Sequence, residues 1–371
     1  MLRPLLAALL ALVAPAAAQT PPVAAPSVPA APARTWPTQE GDFVVRGFRF
    51  RSGETIPELK LHYTTLGSPR RDAQGRVTNA VMVLHGTGGT GKQFLSPQFA
   101  DVLYKPGGRL DIRRWYVILP DGIGHGGSSK PSDGLKARFP RYDYADMVEA
   151  QHRLLADGLK VDRLRLLMGT SMGCMHAFVW GEAYPGFAKA MLPLACAPTQ
   201  IAGRNRLWRK AVMDAITSDP DFRGGNYTAQ PREGLRAAAT LLALAGAAPL
   251  AAQKDYGTRD KADAFYAGLV AREYKARDAN DLIRQVDASR TYDPSADLEK
   301  ITVPVTWINS ADDFINPPEL KVGERFARRL KAGRFVMIPA EKSLHGHGAH
   351  TWAALWEGEL GALIARSGGQ P

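Results

Sequence analysis

The stretch that decides the fold is Arg165–Trp180, RLLMGTSMGCMHAFVW. The apolar run Leu164–Met168 enters Gly169-Thr170-Ser171-Met172-Gly173, and a helical pattern follows from Cys174. The pentapeptide is G-x-S-x-G in a strand, tight turn, helix context. Its glycines leave room for a strained turn that lifts the Ser171 hydroxyl out at a helix N-terminus. Free backbone N–H groups there favour developing negative charge. With both flanks of the required type, an incidental serine in a glycine-rich turn is the weaker reading.

Working outward, short and almost unbroken apolar runs recur at Ala80–Leu84, Trp115–Leu119, Ala190–Ala195, Val303–Ile308 and Phe335–Ile338. Such runs suit strands covered on both faces, as in a parallel sheet between helices. Upstream, Phe43–Phe50 and Leu59–Leu66 alternate as two strands of a hairpin. Asp143–Leu159 and the proline-led Pro317–Leu330 read as helices between strands. The expected class is α/β, with a mainly parallel sheet flanked by helices. From 199 to 292 the alternation stops, and an Ala/Leu-rich helical insertion is expected to sit as a lid over the carboxyl edge of the sheet. The core is then 41–198 and 293–371.

A serine nucleophile needs a base, and the base an orienting carboxylate, in the chain order Ser, acid, His for this architecture. The run Val303–Ile308 ends in NSADDFINPPEL, so Asp312 and Asp313 compete for the acid at a strand's carboxyl end. After the last strand comes SLHGHGAHTW, with His345, His347 and His350 as candidate bases. Glycines on both sides of His347 free its backbone to place the ring, whereas His350 abuts the final helix. The three could also be spaced for a metal, but no clustered carboxylate or cysteine joins them, so no metal is expected. GTGGTGK (86–92) lacks the phosphate-loop spacing because Gln93 follows Lys92, and no nucleotide or other cofactor is expected. The first oxyanion donor should be the N–H of Met172, the second an N–H of the loop His85-Gly86-Thr87-Gly88-Gly89.

From about residue 41 onward the chain resembles the α/β-hydrolase fold superfamily, and within it the homoserine O-acetyltransferase-like branch. The pieces that carry the resemblance are VLHGTGG, PDGIGHGGSSKPSD, GTSMGCMHAFVWGEAYP, SDPDFRGGNY, DDFINPPE and HGHGAH. It implies the α/β-hydrolase fold and a triad of Ser171, Asp313 and His347. Asp313 has the acid's spacing to Pro-Pro, and His347 follows a glycine as the branch's histidine does. The resemblance also assigns the second oxyanion donor to the Thr87 N–H. The acetyltransferases carry an aspartate directly after the histidine and an arginine six residues before the lid's Asp-Pro; here these positions are Gly348 and Met213. Neither charged end of homoserine then has its expected partner, although Arg206 and Arg209 stand near enough in the chain to compensate for the missing arginine.

The N-terminus reads as a signal peptide over 1–18, with a short apolar run Leu5–Val13 and a small-residue cleavage site before Gln19. Residues 19–40 are a Pro/Ala-rich leader. The expected location is periplasmic or secreted, with no stable membrane anchor, since the apolar run is too short to span a bilayer. Buried free thiols are favoured for Cys174 and Cys196, with pairing left open. A formal charge of +11 arises from scattered Lys and Arg without aromatic interleaving, which argues against nucleic-acid binding. The partner expected is a small acyl substrate; the oligomeric state is open, a homodimer included. The reading is thus an exported serine hydrolase cleaving an ester or related acyl compound through an acyl-enzyme. Its alternative is an O-acyltransferase of the homoserine O-acetyltransferase type using the same triad.

Overall fold

The computed structural model describes residues 34–371. The expected signal peptide (1–18) and the leader up to 33 lie outside the described residues. The eight strands are β1 (Thr38–Arg49), β2 (Thr55–Leu66), β3 (Ala80–Leu84), β4 (Tyr116–Pro120), β5 (Leu166–Thr170), β6 (Met191–Leu194), β7 (Val305–Ser310) and β8 (Gly333–Ile338). They form one sheet in the order β1-β2-β4-β3-β5-β6-β7-β8, with β1/β2 and β2/β4 antiparallel and the rest parallel. The order reverses around β3, so the crevice beyond the carboxyl ends of β3 and β5 is where a ligand site is expected in such a sheet.

Helices cover both faces. α1 (Pro97–Leu103) and α11 (Glu357–Arg366) pack on one side, α2 (Tyr144–Arg153) and α3 (Met172–Ala183) on the other. The strand residues divide between the two cores by pleat: Met82 and Leu84 face α2 and α3, while Val81 and Val83 face α1 and α11. That double burial is why these strands read as unbroken apolar runs.

The segment after β6 folds into α4 (Gly203–Thr217), α5 (Arg232–Gly246), α6 (Pro249–Asp255), α7 (Arg259–Lys275) and α8 (Ala279–Asp287). These helices hold a small core of their own around Val212, Ile216, Leu235, Ala238, Leu282 and Val286. Toward the C-terminus come α9 (Val322–Phe326) and α10 (Ala340–Ser343).

Several boundaries differ from expectation. β1 starts at Thr38 and Trp36 is buried, so the end of the proposed leader belongs to the fold. The expected helix 317–330 is broken: Lys321 sits at φ 50°, dividing a short 3-10 turn from the five-residue α9. Asp143–Leu159 is α-helical only to Arg153, after which the backbone widens into a π-turn over Leu154–Gly158.

The favoured reading of the cysteines is corrected. Cys174 and Cys196 form a disulfide, with Cα atoms 5.9 Å apart. β5 and β6 are neighbours, so the first turn of α3 and the end of β6 necessarily lie close. The bond closes a loop with sequence separation 22, which in the chain-entropy account stabilises by about 3 kcal/mol. The double replacement Cys174→Ala/Cys196→Ala is therefore expected to lower unfolding free energy by roughly that amount. Urea denaturation, with the free energy taken from each protein's own midpoint and m-value, checks it; an unaltered unfolding free energy would dismiss the disulfide as a stabilising element.

Candidate active site

Ser171 stands between β5 and α3 at φ 52° and ψ −108°, a backbone conformation that costs a non-glycine residue. The sharp turn is possible because both motif glycines are crowded by backbone. A Cβ on Gly169 would collide with the Gly173 carbonyl, and one on Gly173 with the Leu84 carbonyl. The turn is held in place by the Ser171 N–H, which donates to the Leu194 carbonyl at 2.8 Å.

Of the sequence candidates, Ser171, His347 and Asp313 come together. His347 Nε2 lies 2.7 Å from Ser171 Oγ, and its Nδ1 lies 2.9 Å from Asp313 Oδ2. Asp313 is almost wholly buried. Burial alone would raise its carboxyl pKa, but the adjacent His347 and hydrogen bonds from His347, Asn316 Nδ2 and the Ile315 N–H outweigh this and hold it below the ordinary value. Asn316 also donates to the Ala195 carbonyl at 3.1 Å, which ties the acid loop to the end of β6. The motif DDFINPPE contains Asn316, but its part in fixing the acid was not read from the sequence.

Asp312 has a different position. Its Oδ2 accepts the Gly346 N–H at 2.8 Å, and Oδ1 accepts the Ser310 hydroxyl. It anchors the histidine loop by the backbone and does not meet the imidazole. The other two histidines diverge as well. His345 stacks on Trp352 with centroids 3.8 Å apart, and His350 sets its ring edge-on to His347 at 5.3 Å. Desolvation, with His347 nearby, pushes the His350 pKa down to about 3. Among the described residues no cluster of three or more metal-type ligands occurs.

Thr87 follows Gly86, whose α-carbon faces Ser171 closely enough that an added Cβ would lie 3.3 Å from the Ser171 Cβ. Neither the Thr87 nor the Met172 N–H has a hydrogen-bond acceptor among the described residues. Two free amides beside the Ser171 hydroxyl form the kind of donor pair that can take a developing oxyanion. The loop bearing Thr87 is fixed by His85, whose Nδ1–H donates to the Gly86 carbonyl while Nε2 accepts the Gly122 N–H.

His85, His125 and His176 are buried behind this loop, and burial lowers the pKa of each; His176 is pushed down to about 3. They stay neutral in the fold but take up a proton on unfolding below about pH 6.5. Their contribution to stability is complete above that pH and is lost as pH falls toward the folded values. For His176 alone the loss between pH 7 and pH 5 is expected to be about 2 kcal/mol. Denaturation curves at the two pH values for the parent and His176→Gln check this. Equal losses in both would refute the assignment.

The cavity over Ser171 and His347 has a volume of about 70 Å³ and is lined by Met175, Cys196, Asn205 and Arg209 among others. Arg209, on α4, is 2% exposed. Its Nε donates to Asn205 Oδ1 at 2.9 Å and its Nη1 to Ser289 Oγ at 3.1 Å. No carboxylate pairs with it among the described residues. The Tyr144 hydroxyl lies alongside, and burial lowers the Arg209 pKa. Met213, at the position where the resembled enzymes have arginine, packs against the small helical core, and Arg209, one of the two nearby arginines and one helical turn earlier on α4, lines the cavity that holds Ser171 and His347. Gly348 presents no charge, and an added Cβ there would meet open space.

The arrangement can be set beside known proteins. The family model of the alpha/beta hydrolase fold matches residues 79–345. A probable acyltransferase of Methanothermobacter thermautotrophicus is 30% identical over 280 residues, covering 75% of this chain and 84% of that protein. The homoserine O-acetyltransferase of Chlorobaculum parvum is 26% identical over 332 residues, covering 81% of this chain and 87% of that one. In fold, the chain is similar to the crystal structure of a homoserine O-acetyltransferase from Bacillus anthracis, with a TM-score of 0.78, 21% identity, and coverage of 90% and 99% of the two chains. The protein is therefore an enzyme that belongs to the α/β-hydrolase fold family, in its homoserine O-acetyltransferase-like branch.

Proposed function

We propose that the enzyme forms an acyl-enzyme on Ser171 and passes the acyl group to the hydroxyl of a small hydroxy acid, as an O-acyltransferase of the homoserine O-acetyltransferase type. The observation that carries this reading is Arg209. A buried guanidinium with no carboxylate partner, in the wall of the cavity that holds Ser171 and His347, suits an acceptor bearing a carboxylate. In the first half-reaction His347 Nε2 takes the Ser171 proton as Oγ attacks the acyl carbon. The Thr87 and Met172 amides receive the oxyanion, and His347 returns the proton to the departing alcohol. In the second, the acceptor hydroxyl gives its proton to His347 and attacks the acyl carbon, and His347 passes that proton to Ser171 Oγ as the acyl–serine bond breaks; Asp313 keeps the imidazole in the required tautomer throughout.

A second reading, hydrolysis, is favoured by Gly348, which offers nothing to an amino acid's ammonium group. Water would then resolve the acyl-enzyme. One experiment separates them: p-nitrophenyl acetate or acetyl-CoA is supplied as donor, with and without L-homoserine or 4-hydroxybutyrate. Transfer predicts the O-acetylated acid as product, with Arg209→Ala lowering the acceptor's kcat/KM about ten- to a hundredfold. Free acetate as sole product, whatever hydroxy acid is present, would establish hydrolysis instead.

We also infer export. It is supported by the apolar N-terminal run with its small-residue cleavage site and by the Cys174–Cys196 disulfide, a bond that persists in oxidising compartments. Outside the cytoplasm the donor would be an ester in place of acetyl-CoA. Recovery of the full-length chain, with Met1 retained, from the cytosolic fraction would refute this.

A further inference from the structure

A groove of about 1010 Å³ runs between the helical insertion and the acid loop, and it adjoins the small cavity over Ser171 through shared lining residues. Asn205, Ile315, Leu320 and Val322 line both spaces. The lid contributes Leu244, Ala247 and Pro249 to the groove, and the acid loop contributes Phe314 and Leu320. Leu244 and Leu320 are 59% and 55% exposed, so two large apolar side chains of the lining, one from α5 and one from the acid loop, stand largely in water. Phe314 is fixed in the wall, with the Arg204 guanidinium 4.0 Å above its ring. The carboxylates of Asp312 and Asp313, although on this loop, are turned to Gly346 and His347, and the other charged residues of the lining are Arg204, Glu319 and Arg325.

We propose that this groove holds an apolar acyl chain of medium length, about six to ten carbons, so that the preferred acyl donor is longer than an acetyl ester. The inference rests on the acyl-enzyme reading given above. The departing alcohol and the incoming acceptor both exchange a proton with His347 and therefore share one side of Ser171. With Arg209 holding the acceptor's carboxylate inside the small cavity, the acyl arm is left with the groove. That cavity, at about 70 Å³, has no room for both a hydroxy acid and an alkyl chain. The larger, mainly apolar groove beside it does, and its size falls at the upper end of small-molecule sites.

The test is the rate of acylation of Ser171 by p-nitrophenyl acetate, butyrate, hexanoate and octanoate. It is read from the p-nitrophenolate burst and from the mass of the adduct on the intact protein. A methylene fully withdrawn from water raises such a rate constant about fourfold, and one partly withdrawn about twofold. The octanoyl ester is therefore expected to acylate at least tenfold faster than the acetyl ester. Leu244→Asp and Leu320→Asp should each reduce the octanoyl-to-acetyl ratio severalfold, and the ratio within one variant cancels any general loss of activity. A flat or falling chain-length profile, with a normal acetyl burst, would overturn the inference and leave the acyl-enzyme reading standing. Absence of any burst or adduct with all four esters would overturn that reading and the inference with it. A parent dimer that dissociates on Leu244→Asp/Leu320→Asp, with the profile flat, would assign the groove to a second copy of the chain.

Discussion

Replacement of Ser171 by alanine is expected to lower turnover by about five to six orders of magnitude while leaving the protein folded. Among the described residues the serine is the only nucleophilic oxygen within hydrogen-bonding reach of His347 Nε2, at 2.7 Å, and loss of the nucleophile in comparable triads has an effect of about that size. What survives is the acceleration supplied by binding and by the Thr87 and Met172 amides. Nothing in the packing opposes alanine, which is smaller and keeps the backbone that donates to the Leu194 carbonyl. Ser171→Gly sharpens the test. At φ 52° glycine relieves the strain that serine and alanine both bear, so this variant should be inactive yet more stable than the parent by about 1 kcal/mol. Steady-state kinetics with p-nitrophenyl acetate and thermal melts of the three proteins provide the comparison. Turnover of the alanine variant within tenfold of the parent would place the nucleophile elsewhere.

The contrast between what the sequence made legible and what it hid follows from burial. β3 to β7 are short and covered on both faces, so each shows as an apolar run whatever its neighbours. Only the ends slip, as where β5 extends to Thr170, two residues further than its run of hydrophobics. Gly169 and Gly173 were readable because close backbone contacts leave no alternative to glycine at those positions. Arg209 was readable only as one of two nearby arginines, with Arg206, because which turn of α4 meets the cavity depends on how that helix is rotated and seated over the sheet. A count along the chain reached Met213, one turn from Arg209, and could not choose between the two arginines. The disulfide was readable in principle: Cys174 is three residues after the nucleophile, and Cys196 is two past the end of the strand that pairs with β5. Composition favoured free thiols, but the adjacency of β5 and β6 decided otherwise. The break at Lys321 has no local signal beyond the prolines before it.

The choice among the histidines leads to the second large effect. His347→Ala is expected to lower kcat by about four to six orders of magnitude, and Asp313→Asn by about four, since the amide can no longer hold the imidazole tautomer that accepts from serine. His350→Ala and Asp312→Asn should each cost less than about tenfold in rate. His350 touches neither Ser171 nor a carboxylate, and with its pKa near 3 it is too weak a base to draw a proton from a serine hydroxyl. Removing it leaves a gap beside His347, which is a cost in stability before it is a cost in chemistry. Asp312 acts on the same loop through a single backbone bond, from the Gly346 N–H at 2.8 Å. The carbonyl oxygen of asparagine can still accept that bond, whereas alanine cannot. Asp312→Ala should therefore fall between the two groups, loosening the histidine loop without removing a group that meets the substrate. Measurement of kcat/KM for the five variants with one ester, alongside their melting temperatures, orders them. An inactive His350 variant beside a His347 variant within tenfold of the parent would reverse the assignment and move the base to the ring that now packs against it.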